Sequence, residues 1–302
     1  MSKILITGGA GFIGSHLVEA FSKKNEVVIL DNLFQGNKLK KIKGNYSLIK
    51  SDVRDFDTVK FYSKNCDVII HLAAIIGVDI VAKNNLLTME SEMECIKNVS
   101  LSAVKNNIKK IIYTSTSAVY GKLNYKKKVK ENDIAAPDSA YAISKRMCEI
   151  YLYNLQKKYN IDCTILRPFN IYGLRQDTRM VMPRFINMAK RNKPIIIYEN
   201  GQQTRDFTHV SDFVKVTELS IKKLKKFNIL NVSYGKDCTI NNLVKIIINS
   251  TNSKSKIKHI KTPDELKEFQ VKKRCGSNLK IKKLLNFKPR VDLNSGIKDL
   301  LL

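Results

Sequence analysis

Acid is scarce in this chain. Against 54 lysines and arginines stand 27 aspartates and glutamates, leaving a formal net charge of +27. A field of that sign draws polyanions. The surplus, however, is mostly lysine and is spread along the chain among abundant Ile and Asn, as a compositional drift would leave it. Its clusters are Lys126 to Lys128 with Lys130, Lys222 to Lys226, and Lys254 to Lys261. These read as solvated faces or loops, so nucleic acid is not the expected partner. Paired cysteines are missing too: Cys66, Cys95, Cys148, Cys163, Cys238 and Cys275 form no CxxC pair, and His16, His71, His209 and His259 lie far apart. Neither a disulfide framework nor a metal site is expected. No apolar run approaches the ~20 residues of a membrane span. Met1-Ser2-Lys3 leads straight into an apolar stretch with no secretory leader. The expectation is a cytoplasmic protein with reduced thiols, long enough for one large α/β unit and a smaller lobe.

What is present begins at once. Lys3 to Thr7 is a short apolar run rich in β-branched residues, the pattern of a buried parallel strand. Gly8, Gly11 and Gly14 follow at three-residue intervals; Gly9, Gly11 and Gly14 also fit GxGxxG. From Phe12 to Phe21 apolar residues return at helical spacing. A strand, a glycine turn and a helix opening on that turn make an anion cradle, because the first helical N–H groups are unpaired and the helix dipole favours negative charge there. Alone, such a turn can equally be a packing device. Its context adds to it: Glu26 to Leu30 reads as the next strand and ends in Asp31, twenty residues after Gly11. A carboxylate there would accept hydrogen bonds from dinucleotide ribose hydroxyls. Asp31-Asn32-Leu33 brings no arginine for an extra phosphate, which favours NAD over NADP.

Strands and helices then alternate. Tyr46 to Lys50, Asp67 to Leu72, Ile111 to Ser115 and Cys163 to Leu166 read as strands, and 77 to 107 mainly as helix. That alternation argues for a doubly wound parallel sheet with ligands beyond the carboxyl ends of its strands. Asp52 stands at such an end, as a contact to the adenine or as a helix N-cap. Leu72 leads into Ala73 and Ala74, small enough for a cofactor to pass over the backbone. Later segments read as a short strand from Pro194 to Tyr198, helices over Val210 to Leu224 and Thr239 to Ser250 flanking a strand at Ile229 to Val232, and a last helix from Leu279 to Leu285.

At the carboxyl end of the fifth strand comes TSTSAVYG, residues 114 to 121, and after a basic loop YAISK, residues 141 to 145. Residues four apart share a helix face, with Cβ atoms about 5–6 Å apart. An ammonium near a phenol favours phenolate, so Lys145 is expected to lower Tyr141 from its ordinary ~10 toward neutrality, with a second positive charge such as oxidised nicotinamide contributing to so large a shift.

These segments, with His71-Leu72-Ala73-Ala74, Arg167-Pro168-Phe169-Asn170-Ile171-Tyr172-Gly173 and the stretch from Asn200 to Phe207, resemble the extended short-chain dehydrogenase/reductase family. The likeness is to its nucleotide-sugar epimerase and dehydratase branch, and it runs over nearly the whole chain. It implies a Rossmann-type NAD-binding domain over 1–166 and a mainly substrate-binding C-terminal lobe over 167–302, with the chain crossing back to the sheet. It makes Tyr141 the general acid/base, Lys145 its partner and the holder of the nicotinamide ribose, and Thr116 the hydrogen-bond partner of the reacting sugar hydroxyl. The cofactor contacts it implies are Gly8, Gly11, Phe12, Ile13 and Gly14, then Asp31, Asn32, Asp52 and Val53. Leu72, Ala73, Ala74 and Phe169 complete them beside Tyr141 and Lys145. Asn170 and Arg205 are the implied contacts to a nucleotide sugar, most simply a UDP-sugar; Arg205 could instead pair with Asp206 or Asp212. A homodimer is implied through the helix starting at Tyr141, where Tyr151, Leu152 and Leu155 form an apolar seam or pack in the core.

The chain also departs from the family. Dehydratases carry an Asp-Glu pair directly after the catalytic threonine; here Ser117 and Ala118 stand there. Decarboxylases keep a glutamate two residues before the position of Tyr120, where this chain has Ala118. What remains is chemistry that needs only hydride transfer and the tyrosine: 4-epimerisation through a transient 4-keto sugar, or reduction of a keto sugar. A binding protein on the same scaffold is the reading of another class. The family's Asn-x-x-Gly-Thr aligns with Glu92, Cys95 and Ile96. Its Arg-Pro-Gly segment has no counterpart between Pro263 and Ser277, where Lys267 and Arg274 are the stand-ins.

Overall fold

The computed structural model describes residues 1–75, 84–122, 127–264 and 271–301. Lys126, Lys267 and the first part of the expected 77–107 helix lie outside them. The sheet begins with β1 (Lys3–Thr7), β2 (Glu26–Asp31), β3 (Tyr46–Lys50), β4 (Val68–His71), β5 (Lys110–Thr114) and β6 (Asp162–Pro168). Four short lobe strands follow: β7 (Ile171–Tyr172), β8 (Ile195–Tyr198), β9 (Thr204–Asp206) and β10 (Thr208–His209). The chain then returns as β11 (Phe227–Val232), which lies parallel to β6, Leu230 beside Leu166. The order is β11-β6-β5-β4-β1-β2-β3, all parallel.

Alternation of side chains across a strand explains why both faces are apolar. Ile4, Ile6, Val27 and Ile29 point into one core with Leu17, Phe21, Phe213 and Leu285. Leu5, Val28, Leu30 and Ile69 point into the other with Val59, Val99, Leu152 and Leu155. Helices Phe12–Phe21, Val210–Lys223 and Leu279–Leu285 therefore cover one face, and Phe56–Tyr62, Asn85–Lys105 and Ala140–Tyr159 cover the other. The doubly wound sheet expected from the alternation is present. The lobe has its own apolar centre, in which Met182, Phe185, Ile197, Leu243 and Ile247 are buried together. There β12 (Asp237–Thr239) pairs antiparallel with β9, and β13 (Ile257–Ile260) pairs parallel with β8.

Three points that the sequence left open take one reading. The Lys254 to Lys261 cluster is a solvated face that includes β13, with Ile257 and Ile260 half-buried and Lys258 and His259 exposed. Asp52 is not a helix N-cap; Asp55 is, accepting the N–H groups of Asp57 at 3.1 Å and Thr58 at 3.3 Å. The seam expected at Tyr151, Leu152 and Leu155 is internal, because these residues pack in the core beneath the sheet.

Candidate active site

A crevice opens where the sheet order reverses. β1 lies between β2 and β4, and the helices that follow β1 and β4 pack on opposite faces. The carboxyl ends of the two strands are thus left uncovered between them. A cavity of about 590 Å³ fills this crevice.

Its floor is the glycine turn. Gly8 has φ +71°, and a Cβ there would stand 2.6 Å from the Ala73 nitrogen. At Gly14 a Cβ would come within 2.2 Å of the Gly8 oxygen. These two glycines are demanded by the protein's own packing. Gly11 is different: a Cβ would meet only the Gly8 oxygen, at 3.4 Å, an ordinary contact. Gly11 is also the N-cap of the Phe12–Phe21 helix without any side-chain cap, and Gly11, Phe12, Ile13 and Gly14 all face the cavity. An uncapped helix start with nothing over its N-cap residue suits the pyrophosphate of a dinucleotide.

The cradle continues at the end of β2. Asp31 and Asn32 face the cavity. The Asp31 carboxylate accepts the N–H of Ala10 at 2.9 Å and of Leu33 at 2.8 Å, which fixes its orientation. Each carboxylate oxygen retains acceptor capacity for a ribose hydroxyl. Asp52 and Val53 line the same end, with Asp52 held by Arg54 through bonds of 3.0 and 2.8 Å. That guanidinium keeps Asp52 below the usual carboxylate range. Leu72, Ala73 and Ala74 form the opposite wall. The residues present fit a dinucleotide.

Thr116, Tyr141 and Lys145 meet at the other end of the cavity. Thr116 follows β5 with its Oγ1 accepting the Ala118 N–H at 3.1 Å, and it faces the same cavity as Tyr141. Ser139 caps the Ala140–Tyr159 helix, and one turn on Lys145 Nζ lies 5.8 Å from the centre of the Tyr141 ring. The ammonium donates to the Thr114 carbonyl at 3.2 Å. It also faces a buried carboxylate, Glu92 Oε2, at 3.0 Å.

Lys145 alone does not deliver the expected lowering of Tyr141, and burial is the main reason. Burial raises the Tyr141 phenol, Lys145 pulls it down, and Glu92 pushes it up again; the net shift is upward, not toward neutrality. Lys145 loses proton affinity through burial, but Glu92 and Tyr141 outweigh that and hold it charged.

Beneath the pair runs a buried polar frame. Glu149 accepts Arg167 in two bonds, Nε at 2.8 Å and Nη2 at 2.6 Å, and the Ser115 hydroxyl at 2.6 Å. Arg167 also donates to the Tyr120 hydroxyl at 2.8 Å, which donates to Asn231 Oδ1 at 2.7 Å. The ends of β5, β6 and β11 are locked to the Tyr141 helix by this network.

Three expected residues stand away from the cavity wall. Phe169 is fully buried with Val119, Tyr120 and Val129, so it packs under the site rather than against a cofactor; Pro168 takes the place at the wall. Asn170 is exposed and donates to the Asp206 carbonyl at 3.0 Å. Arg205 bonds the carbonyls of Thr204 at 2.8 Å and Val271 at 2.6 Å. It does not pair with Asp206 or Asp212. Asp206 is satisfied by Ser233 and by the N–H groups of Tyr234, Gly235 and Gly276. Asp212 is satisfied by the N–H groups of Arg290 and Val291. Burial and the neighbouring Arg274 guanidinium push Arg205 down to about 10.

The cavity also has a wall that the motifs did not reveal. Asn84, Leu87, Ser91 and Cys95 face it beside Glu92, at spacings of three and four that mark one helix face. That periodicity, crossing the polar middle of the helix, was the available signal.

The family model for the NAD dependent epimerase/dehydratase family matches residues 4–233. A putative UDP-glucose 4-epimerase of Methanocaldococcus jannaschii is 36% identical over 301 residues, covering 98% of this chain and 96% of that protein. Among solved structures, the UDP-glucose 4-epimerase of Thermotoga maritima with UDP-glucose has a TM-score of 0.93 at 28% identity, covering 98% of this chain and 96% of its own. The UDP-N-acetylglucosamine 4-epimerase of Methanobrevibacter ruminantium, in complex with UDP-N-acetylmuramic acid, has a TM-score of 0.91 at 32% identity, covering 99% and 98%. A likeness that spans the glycine turn, the Tyr141 helix and the lobe alike makes this chain an enzyme of the NAD-dependent epimerase/dehydratase family, in the extended short-chain dehydrogenase/reductase branch, with NAD as its cofactor.

Proposed function

We propose that this chain is a nucleotide-sugar 4-epimerase acting through a transient 4-keto sugar. The observation that carries the reading is the convergence of Thr116, Tyr141 and Lys145 on the cavity, with Ser117 and Ala118 in place of further proton carriers. Thr116 and Tyr141 hold the sugar 4-hydroxyl between them, and Tyr141 Oη, in its phenolate form, accepts its proton as the carbinol is oxidised. NAD, when bound along the glycine turn, supplies the hydride acceptor and later the donor. Tyr141 then returns the proton to the same oxygen after the sugar has presented its other face. Such turning needs a grip on the diphosphate and none on the sugar. Two guanidiniums held near each other at Arg205 and Arg274 supply fork-shaped donors for phosphate oxygens at the lobe side. Asn170 reaches the neighbour of Arg205, donating to the Asp206 carbonyl.

UDP is the nucleotide favoured by the likeness to UDP-sugar epimerases. We further propose a homodimer through the outer face of the Ala140–Tyr159 helix. Met147, Ile150 and Tyr153 are 41%, 48% and 40% exposed there, an apolar stripe of the kind that copies of one chain cover. A reducing cytoplasm suits six free cysteines, five of them buried.

Incubation with UDP-glucose, UDP-N-acetylglucosamine and UDP-glucuronate, followed by chromatographic separation, is the test. The expected product is a 4-epimer formed without net consumption of NADH and lost in Tyr141→Phe. Stoichiometric NADH oxidation with a keto sugar would replace this reading by a reductase.

A further inference from the structure

Glu92 is an odd residue to find where it is. It lies mid-helix, 2% exposed, on the face of the Asn85–Lys105 helix that walls the cavity. Its Oε2 sits 3.0 Å from Lys145 Nζ and accepts the Tyr113 hydroxyl at 3.4 Å. Its Oε1, equally buried, has no hydrogen-bond partner among the described residues. A neutral amide at this position could also accept from Lys145, and it would leave no carboxylate oxygen stranded. The charge itself is therefore the feature that calls for a role.

Among the described residues, Lys145 is the cation beside the Tyr141 phenol. Its Nζ lies 4.9 Å from the Tyr113 ring centre and 5.8 Å from that of Tyr141. Two opposite charges 3.0 Å apart act on a third group as a dipole, whose field falls off faster than that of a lone ammonium. We propose that Glu92 is a positioning residue for the catalytic pair: its carboxylate pins the Lys145 ammonium and offsets that charge toward Tyr141, so that the phenol keeps its proton in the resting protein. The proposal rests on the acid/base role given to Tyr141 above.

The other ionisable groups against this set add no charge. His71, from β4, is buried and pushed down to about 3 by burial and then by Lys145, so it is neutral. Cys148, on the Lys145 helix, and Cys95, on the Glu92 helix, are pushed up to about 12, burial being the main cause. Tyr113, from β5, is raised well above an ordinary phenol, first by burial and then by Glu92. Among the described residues, Glu92 and Lys145 are the two charges left facing Tyr141.

The chain contains no tryptophan, so tyrosinate absorbance can be followed in the purified protein without indole overlap. Subtracting the titration of Tyr141→Phe isolates one phenol. In the wild-type protein its midpoint is expected at or above the ordinary ~10. In Glu92→Gln it is expected to fall by at least about one pH unit, the low end of what a nearby opposite charge does to a partner. A wild-type midpoint well below that of exposed tyrosines, or a midpoint unmoved in Glu92→Gln, would overturn the proposal. If Glu92→Gln fails to fold by circular dichroism, the wild-type titration decides alone. Once turnover of a UDP-sugar is measured, the acid limb of kcat/KM must move down by a similar shift in Glu92→Gln. A uniform loss of rate at every pH, with the limb unmoved, would mark a purely structural role and overturn the proposal. The titration uses no substrate, so failure to form an epimer removes the epimerase reading and leaves this result standing.

Discussion

Thr7 Oγ1 and His71 Nδ1 lie 2.6 Å apart, tying the carboxyl end of β1 to that of β4 under the crevice. The imidazole is fully buried and stacks on Tyr113 with ring centres 5.7 Å apart, while its Nε2 has no partner among the described residues. Burial pushes it down to about 3. The folded protein thus leaves His71 unprotonated where the unfolded chain, at ~6.5, binds a proton.

Stability should therefore fall as pH drops from about 6.5 toward 3, by up to ~1.4 kcal/mol per pH unit from this one group. Urea unfolding across that range measures it. His71→Gln should flatten the slope; an unchanged slope would assign the loss to other groups.

The glycine turn separates two roles by substitution. Gly14→Ala drives a Cβ into the Gly8 oxygen and should cost about 1–3 kcal/mol of stability, as overpacking does. Gly11→Ala should unfold like the wild type, because its Cβ has room. Its NAD affinity should fall at least about tenfold, a loss of ~1.4 kcal/mol of binding. Chemical denaturation and calorimetric titration read the two effects separately.

Glu149 and Arg167 carry the frame beneath the catalytic pair, with side chains 0% and 2% exposed. Removing one partner leaves a buried charge unmatched, so Glu149→Gln should cost roughly 3–5 kcal/mol. The double replacement Glu149→Leu/Arg167→Met should recover much of that loss. A double variant as weak as the single one would show that the network is worth more than its charges.

Thiol reactivity should single out one cysteine. Cys66, Cys95, Cys148, Cys163 and Cys275 are buried, and burial is the main cause pushing each up to about 12. Cys238 is half-exposed. A chromogenic disulfide reagent should titrate about one thiol per native chain, none in Cys238→Ser, and six after unfolding.

Much of this was legible where one physical demand dominates. β1 and the Leu279–Leu285 helix fall where the residue pattern places them, because burial on two faces or along one stripe leaves no alternative, and β3 does so as a half-buried edge strand. Gly8 and Gly14 were legible because the backbone itself collides there. Tyr141 and Lys145 were legible as a pair, and Lys145 does pull the phenol down; the net upward shift was not legible, because burial outweighs that pull and Glu92, fifty-three residues before Lys145 and brought to it only by the packing of two helices, adds to it. Phe169 was misplaced, and Leu152 and Leu155 stayed undecided between seam and core, for a related reason: an apolar side chain reads the same whether it covers a ligand, a second chain or its own core.

One consequence of the topology concerns how the chain may be cut. β11 reaches the sheet only after the first part of the lobe, β7 to β10, has been threaded, and the chain then goes back to the lobe as β12 and β13, so the lobe is built from both sides of β11 and is not an appendage. A fragment ending at residue 166 would expose the flank of β6 as an unsatisfied row of amides, inviting association between fragments. Co-expression with the missing half, rather than truncation, is the way to separate the two regions.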